Sequence, residues 1–237
     1  MKRRRGGCLV ALAVLLLVVL GALVVVDRVA VGIAQDRVAQ QVAARGGLSG
    51  TPQVDIAGFP FLTQALRGRY DDVRIHLTAE ELGQPAGTRA DVSLHGVHLP
   101  LSDALSGSVQ QIPIDRVDGT ATLSYALLDA QLGGDTTVAA DGDGIRVTRT
   151  VSVLGLEFSL TAAGTVALDG NDVVINVQHA SAGAAGVPPA VLQQAADHLD
   201  FRYPLPQLPF GLQVVAVTST AEGVDVAVQA TNTVLSG

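Results

Sequence analysis

From residue 53 to the end of the chain, apolar and polar residues alternate through one segment after another. In residues 156–168, for example, almost every second residue is apolar. Because successive side chains of a β-strand point to opposite faces of the sheet, this period of two predicts strands with one apolar face. Turn sequences rich in Gly and Asp separate the runs, at residues 141–144, 154–155, 169–172 and 222–223. We predict nine or ten strands in one long, curved, mainly antiparallel sheet.

Three short helices are predicted between the strands, at residues 60–68, 100–107 and 188–199. Each begins with Pro, which fits the first turn of a helix, and the first two end with Gly, which commonly follows the last turn. A few short helices beside a large antiparallel sheet indicate the α+β fold class. The only candidate linker runs from Gly46 to Pro52, so residues 48–237 are predicted to form one domain.

Residues 8–26 contain no charged residue and follow Lys2 and three consecutive arginines. A helix of this length spans roughly 28 Å, close to the hydrocarbon thickness of a bilayer. Flanking positive charges favour the cytoplasm, so we predict a cytoplasmic segment over 1–7, a transmembrane signal anchor over 8–26 and an exported body. An uncleaved anchor is favoured over a cleaved signal peptide, because the apolar run is long and Val24–Asp27 is a poor cleavage site.

An amphipathic helix is predicted over residues 28–45, which together with its linker forms the segment 27–47. Gly46 and Gly47 would end this helix. One interpretation is an apolar lid or a segment lying on the membrane. The interpretation that we favour is a helix packed on the sheet. Its apolar face would consist of Val31, Ala34, Val38 and Val42.

The predicted exported body is acidic, with 11 basic against 22 acidic residues after residue 26. This balance argues against a nucleic-acid partner, because neutralising phosphates requires clustered Lys and Arg. It also argues against broad electrostatic adhesion to an anionic membrane. The only cysteine is Cys8, so the body has no internal disulfide and must be stabilised by packing.

The sequence contains no pattern typical of a catalytic or metal site. Asp71 and Asp72 are neighbours in a predicted strand, so they should point to opposite faces and be solvated. His95 and His98 should also lie on opposite faces, unless a bulge at Gly96 intervenes. The nucleophile motif Gly-x-Ser-x-Gly does not occur. We therefore predict no catalytic residue, no metal site and no cofactor.

The scarce aromatic residues concentrate in two Pro-containing segments that are far apart in the sequence. Phe59 and Phe61 flank Pro60, and Phe210 lies in residues 201–215. Repeated prolines in the second segment predict a position at an edge or rim, because Pro fixes φ and lacks a backbone donor. These residues either line the mouth of an apolar groove or fill the core at one end of the sheet. Composition alone favours the core slightly.

Two stretches, GFPFLTQALRGRYDDVRIHL (58–77) and LPQLPFGLQVVAVTSTAEGVDVAVQA (205–230), resemble the actinobacterial LmeA-like family. Gly58–Leu62 and Arg67–Tyr70 are the specific part, and the resemblance covers essentially the whole predicted body. It implies a phospholipid-binding protein of the cell envelope, linked in mycobacteria to elongation and maintenance of lipomannan-type glycolipids. It also implies a body similar to tubular lipid-binding modules, in which a curved sheet wraps an acyl-chain groove.

With this resemblance, the groove becomes the favoured interpretation of the two aromatic segments. Apolar residues would form its mouth, and Arg side chains at the rim would meet a lipid phosphate. The predicted lipid-binding residues are Phe59, Phe61, Leu62, Leu66, Arg67, Arg69 and Phe210.

The predicted function is that of a membrane-anchored, extracytoplasmic phospholipid-binding protein that supports maintenance of envelope lipid or lipomannan-type lipoglycan. The predicted partners are phospholipid and, through the N-terminal helix, the membrane, with no nucleic acid and no catalysis. The alternatives are an envelope scaffold without a lipid ligand and, less favoured, an enzyme of envelope lipid metabolism.

Overall fold

The computed structural model of the protein describes residues 4–106, 111–153, 156–170, 172–182, 201–204 and 208–236. Eleven strands in this part of the chain form two antiparallel sheets. The first sheet contains, in spatial order, β1 (Gln53–Ala57), β2 (Arg69–Leu77), β3 (Arg89–His98), β4 (Gln111–Ser124), β11 (Gly223–Ser236) and β10 (Gln213–Ser219). The second contains β5 (Thr136–Asp141), β6 (Gly144–Val153), β7 (Leu156–Asp169), β8 (Asp172–Ala182) and β9 (Phe201–Pro204).

The α+β fold class and the antiparallel pairing predicted from the alternation are confirmed. The predicted single sheet is instead divided into two, with eleven strands in the described residues rather than nine or ten. The division follows helix α5 (Tyr125–Leu132), which begins directly after β4 and leads the chain into the second sheet. Its N-terminus is capped by the Ser124 hydroxyl, which accepts a hydrogen bond from the backbone N–H of Leu127 at 3.2 Å.

The remaining helices are α1 (Arg4–Gly46), α2 (Phe61–Arg67), α3 (Ala79–Leu82) and α4 (Leu101–Ser106), with one 3-10 turn at Pro209–Gly211. Helices α2 and α4 confirm the predictions for residues 60–68 and 100–107. The helix predicted at 188–199 lies outside the described residues. The helix predicted over 28–45 is the second half of α1, which continues without a break from the apolar segment.

Helix α1 has two halves with different surroundings. Residues 10–26 are exposed along their whole length. In the second half, Val31, Ala34, Val38 and Ala39 belong to the core cluster that covers one face of the first sheet. The interpretation of this half as a helix packed on the sheet is therefore confirmed. Within the described residues, α1 is the one helix long and apolar enough to cross a membrane.

Two hydrophobic clusters form the core. The first lies between the first sheet, the second half of α1 and helix α2, and contains the almost fully buried Ile114. The second joins the two sheets, because Val217 of β10 and Val224 of β11 pack with Val138 and Ile145 of the second sheet. Strand β10 also contacts β7 directly.

The Pro-rich segment takes the edge positions predicted for it. Strand β9 is the last strand of the second sheet, and β10, which follows the 3-10 turn, is the last strand of the first. An edge strand pairs with a neighbour on one side only. Pro204, which lacks a backbone N–H, is therefore tolerated in β9.

A row of irregular residues crosses four neighbouring strands of the first sheet. Asp71, Gly96, Asp115 and Asn232 lie level with one another, and the paired residues on either side of this row keep the same register. Gly96 and Asn232 have positive φ angles of 63° and 50°. Because the irregularity occurs at the same level in each strand, the strands remain paired across it.

The row changes which residues face the core. In β3, Leu94 packs against the core before the row and Val97 after it, so the core-facing position shifts from even to odd numbers. His95 and His98 consequently lie on the same outer face of the sheet. The prediction placed them on opposite faces unless a bulge at Gly96 intervened, and the structure shows this exception, because the chain reverses its alternation at Gly96.

Candidate functional site

The loop that leads into α2 is held by one buried side chain. Gln64 donates from Nε2 to the carbonyl of Ala57 at 3.1 Å and accepts at Oε1 from the backbone N–H of Asp71 at 3.0 Å. Gly58, with φ of 100°, lies so close that a Cβ atom there would be 2.4 Å from Gln64 Nε2. The Phe59–Pro60 peptide bond is cis. A glycine at position 58 is therefore required both by the backbone angle and by the close approach of Gln64.

The N-terminus of α2 is tied to helix α1. Pro60 occupies the cap position and offers no side-chain acceptor. Asp27 of α1 takes that role, because its Oδ1 accepts a hydrogen bond from the backbone N–H of Leu62 at 2.8 Å. Asp27 is only 2% exposed, and its Oδ2 has no hydrogen-bond partner among the described residues. A buried carboxylate therefore fixes α2 at the point where the apolar segment of α1 ends.

The two phenylalanines on either side of Pro60 have different environments. Phe59 is 57% exposed, and the guanidinium carbon of Arg28 lies 5.0 Å from the centre of its ring. Phe61 is 7% exposed and packs in the core, with its ring centre 6.0 Å from that of Tyr70. Burial raises the pKa of the Tyr70 hydroxyl. Phe59 is therefore available to a ligand or surface, and Phe61 supports the loop from inside.

The two leucines of α2 differ in the same way. Leu62 is partly buried and packs against the core cluster that contains Phe61. Leu66 is 78% exposed, the largest exposure of any apolar side chain in the described residues. Leu66 follows Leu62 by four positions, about one helical turn. The exposed apolar surface of this region therefore consists of Phe59 and Leu66.

The two arginines next to α2 also differ. Arg69 donates to Asp115 Oδ2 at 2.9 Å, and the other oxygen of Asp115 lies 2.9 Å from His98 Nε2. Arg67 is exposed at the end of α2 and has no ion-pair partner among the described residues. Arg67 is therefore the cation free to meet a phosphate, whereas Arg69 is already paired on the sheet.

Phe210 lies on the 3-10 turn rather than on α2. It has a positive φ of 61°, is 45% exposed, and its carbonyl oxygen accepts a hydrogen bond from the hydroxyl of Thr233. Leu212, two residues later, packs against the same core cluster as Phe61. The two Pro-containing segments therefore share one core.

The outer face of the first sheet carries a network of charges. His95 lies between Asp72 and Asp118, with nitrogen–oxygen distances of 3.5 and 3.3 Å. Hydrogen bonds from Arg116 hold the pKa of Asp118 below its ordinary value, with a smaller contribution from Gln229. In the part of the chain that the structure describes, no group of three or more His, Cys, Asp or Glu side chains could hold a metal ion.

Asp71 and Asp72 have different environments. Asp71 is exposed, and its backbone N–H donates to Gln64 Oε1. The Asp72 side chain is only 16% exposed, with Oδ2 2.7 Å from Arg74 and a buried Oδ1 that has no hydrogen-bond partner among the described residues. The predicted solvation therefore holds for Asp71 and is wrong for Asp72, which lies largely inside the sheet surface.

Two depressions lie on the described surface, and polar residues contribute to the lining of both. One, of about 500 Å³, lies on the second sheet beside Asp141 and Arg146. The other, of about 290 Å³, lies on the outer face of the first sheet beside Asp91 and Asp118. Neither has the apolar lining predicted for an acyl-chain groove. Residues 183–200 and 205–207, between β8 and the 3-10 turn, are outside the described part of the chain.

Sequence reasoning missed Asp27, Arg28 and Gln64, which together position the loop. Asp27 and Arg28 had a visible signal, since they are the first charges after a long apolar run. The role of Gln64 had none, because its two partners lie in strands on either side of it and only the folded chain brings them together.

Comparison with known proteins adds a single match. A family model described as LmeA-like phospholipid-binding matches residues 25–229, from the end of the apolar segment to β11. Neither the curated proteins nor the solved structures include a significant match. The matched region takes in the packed half of α1, helix α2 with its loop, and both sheets. The chain belongs to the LmeA-like phospholipid-binding family.

Proposed function

We propose that this protein is a membrane-anchored, extracytoplasmic phospholipid-binding protein that supports maintenance of envelope lipid or lipomannan-type lipoglycan without catalysis. Family membership is the observation that carries lipid binding. The length and apolar character of α1 support the anchor. The exposed residues that would contact the lipid are Phe59, Leu66, Arg67 and Phe210. Phe61 and Leu62 would support them from the core, and Arg69 would lie beside them.

The exposed residues of the α2 region support this site. Phe59 and Leu66 offer apolar surface to acyl chains, and each buried methylene contributes about 0.8 kcal/mol. Arg67 offers a guanidinium that no carboxylate in the described residues neutralises, and guanidinium pairs with phosphate in a bidentate geometry. An acidic body can therefore bind an anionic phospholipid at one place without a broad basic surface.

Purified full-length protein tests the ligand directly. Native mass spectrometry of the chain, released gently from detergent, should detect adducts with the mass of a phospholipid. A preparation from which no phospholipid is ever recovered, and to which none binds when it is added, would favour the scaffold function instead.

The two arginines provide a matched pair of variants for the site. We expect Arg67→Gln to weaken binding of anionic phospholipid about 5- to 20-fold, because it removes an unpaired cation at the rim. Arg69→Gln should change binding less than about 2-fold, because Arg69 is occupied by Asp115. Affinity for a zwitterionic phospholipid should fall less in Arg67→Gln than affinity for an anionic one, because the headgroup cation offsets its phosphate. Binding to vesicles of anionic and neutral composition, with circular dichroism as a check on folding, measures all four values.

The reverse order, with Arg69→Gln the more damaging, would move the phosphate contact from the end of α2 to the outer face of the sheet. Equal, unchanged binding in both folded variants would remove the arginines from the site altogether.

A further inference from the structure

We propose that the α2 end of the body is seated in the same membrane that α1 crosses, with Phe59 and Leu66 inserted among the lipids of the leaflet from which α1 emerges. The proposal rests on the anchoring proposed above. It adds a second membrane contact, made by the body itself, and its occupant is a lipid surface.

The level of the contact follows from α1. Residues 10–26 are exposed and apolar, and at ~1.5 Å per residue they extend about 26 Å, close to the ~30 Å hydrocarbon core of a bilayer. Asp27 is the first charged residue after them and marks the outer boundary of the apolar segment. Because α1 continues as one helix into the part that packs on the sheet, the body is held at a fixed height relative to that boundary.

Direct contacts place α2 at the same level. The backbone N–H of Leu62 is 2.8 Å from Asp27 Oδ1, and the Phe59 ring centre is 5.0 Å from the Arg28 guanidinium carbon. Leu66 is about one helical turn, roughly 5 Å, further along α2. Both exposed apolar side chains therefore lie within a short distance of the membrane boundary set by Asp27.

The chemistry of the patch suits a lipid surface. Phe59 and Leu66 would otherwise leave a large apolar area in water, next to an already apolar helix surface. Arg28 and Arg67 flank them and are exposed, so their guanidinium groups would lie at the level of the phosphates. Phe and Leu, with basic residues beside them, are side chains that membrane-surface helices bury at the boundary between headgroups and acyl chains.

The chain contains no Trp, so a single introduced Trp reports its own surroundings without background. The test uses the full chain carrying Phe59→Trp, Leu66→Trp or Leu132→Trp, reconstituted in vesicles of phosphatidylcholine with increasing proportions of brominated phosphatidylcholine. Leu132 is the matched control, since it is 56% exposed on α5, which begins at the end of β4 opposite to α2. Bromine quenches Trp only at contact with the acyl chains.

We expect fluorescence of the first two variants to fall at least 3-fold more than that of Leu132→Trp, with emission shifted to shorter wavelength. Equal emission and quenching in all three variants would overturn the seating. One equivalent of brominated lipid can also be added to each variant in detergent, without a bilayer. If it quenches positions 59 and 66 as strongly as the brominated vesicles do, the seating is overturned and these positions contact a bound lipid only. Flotation of the same vesicles distinguishes failure of membrane insertion from failure of the seating, since protein that does not float with the vesicles has not inserted.

Discussion

Phe59 and Phe61 show how far the fate of a residue depends on its neighbours in space. They are two positions apart, on either side of one proline, and have the same side chain. Phe61 fills the core beside Tyr70, whereas Phe59 lies outside beside Arg28. The sequence identified the pair as unusual in a chain so poor in aromatic residues. The sequence could not show which of the two is buried. The direction of each ring is set by the turn at Gly58, which lies against the side chain of Gln64.

The Asp27 carboxylate joins α1 to the N-terminus of α2, so removing it should destabilise the protein. We expect Asp27→Ala to lower the free energy of unfolding by about 1–3 kcal/mol, because the buried N–H of Leu62 would lose its acceptor. That loss corresponds to roughly 2–12 °C in melting temperature. Asp27→Asn keeps an acceptor oxygen in place and should cost less. Thermal unfolding of the full-length variants in the same detergent measures both changes.

An Asp27→Asn variant as unstable as Asp27→Ala would show that the negative charge, rather than the acceptor, holds α2. Two variants as stable as the parent would mean that α2 is positioned by its apolar contacts alone.

At the scale of the elements, the irregular row in the first sheet depends on Gly96. A Cβ atom at this position would be 2.1 Å from Asp115 Oδ2, and the φ of 63° disfavours residues with side chains. We expect Gly96→Ala to destabilise the protein by about 1–3 kcal/mol. Gly134→Ala is the matched control, because a Cβ atom there meets nothing within 4 Å and the backbone angle is ordinary. Denaturant unfolding followed by circular dichroism compares the two.

A Gly96→Ala protein with the stability of the control would mean that the row adjusts by moving Asp115 and that glycine is not required there. Release of Asp115 would also free Arg69 and His98, its two partners.

Local patterns predicted the elements well and their assembly less well. The period of two and the Gly-containing turns identify hairpins such as β5–β6, where residues 141–144 form the predicted turn. Pro and Gly similarly mark the ends of α2. The division into two sheets escaped prediction, because α5 has no Pro at its start and begins only with Ser124, although Gly133 follows its last residue. A bulge at Gly96 was considered as an exception, but its continuation across four strands was not predicted, since one glycine in a strand does not reveal what its neighbouring strands do.

At the scale of the whole molecule, the proposed topology places residues 27–237 outside the cytoplasm. We expect a reporter that needs disulfide oxidation to be active when fused after Gly237, and a reporter that folds only in the cytoplasm to be inactive there. The control replaces Lys2, Arg3, Arg4 and Arg5 by Asn. Removing these charges should reduce the correctly oriented fraction, because they hold the N-terminus inside. Activity of the cytoplasmic reporter in the parent chain would invert the topology.

The site shows the same limit as the fold. The sequence predicted a lipid-binding surface from residues 59–69 and Phe210, and among these residues the structure leaves Phe59, Leu66, Arg67, Arg69 and Phe210 exposed. The sequence does not show which arginine lacks an ion-pair partner, because the partner of Arg69 is 46 residues away in β4. Long-range pairing of this kind is a property of the sheet register, which no local pattern contains.

In the proposed topology, the unbroken helix α1 would join the membrane anchor to the body without a flexible linker. A domain on a flexible linker can swing over tens of ångströms and search for a distant acceptor. A body that shares one rigid rod with its anchor can only tilt as the rod tilts and slide in two dimensions. Any lipid that it takes up would therefore be collected from its own leaflet and passed to a carrier that approaches it. Such a protein would bind lipid at a fixed height on its own membrane and would not carry lipid from one membrane to another.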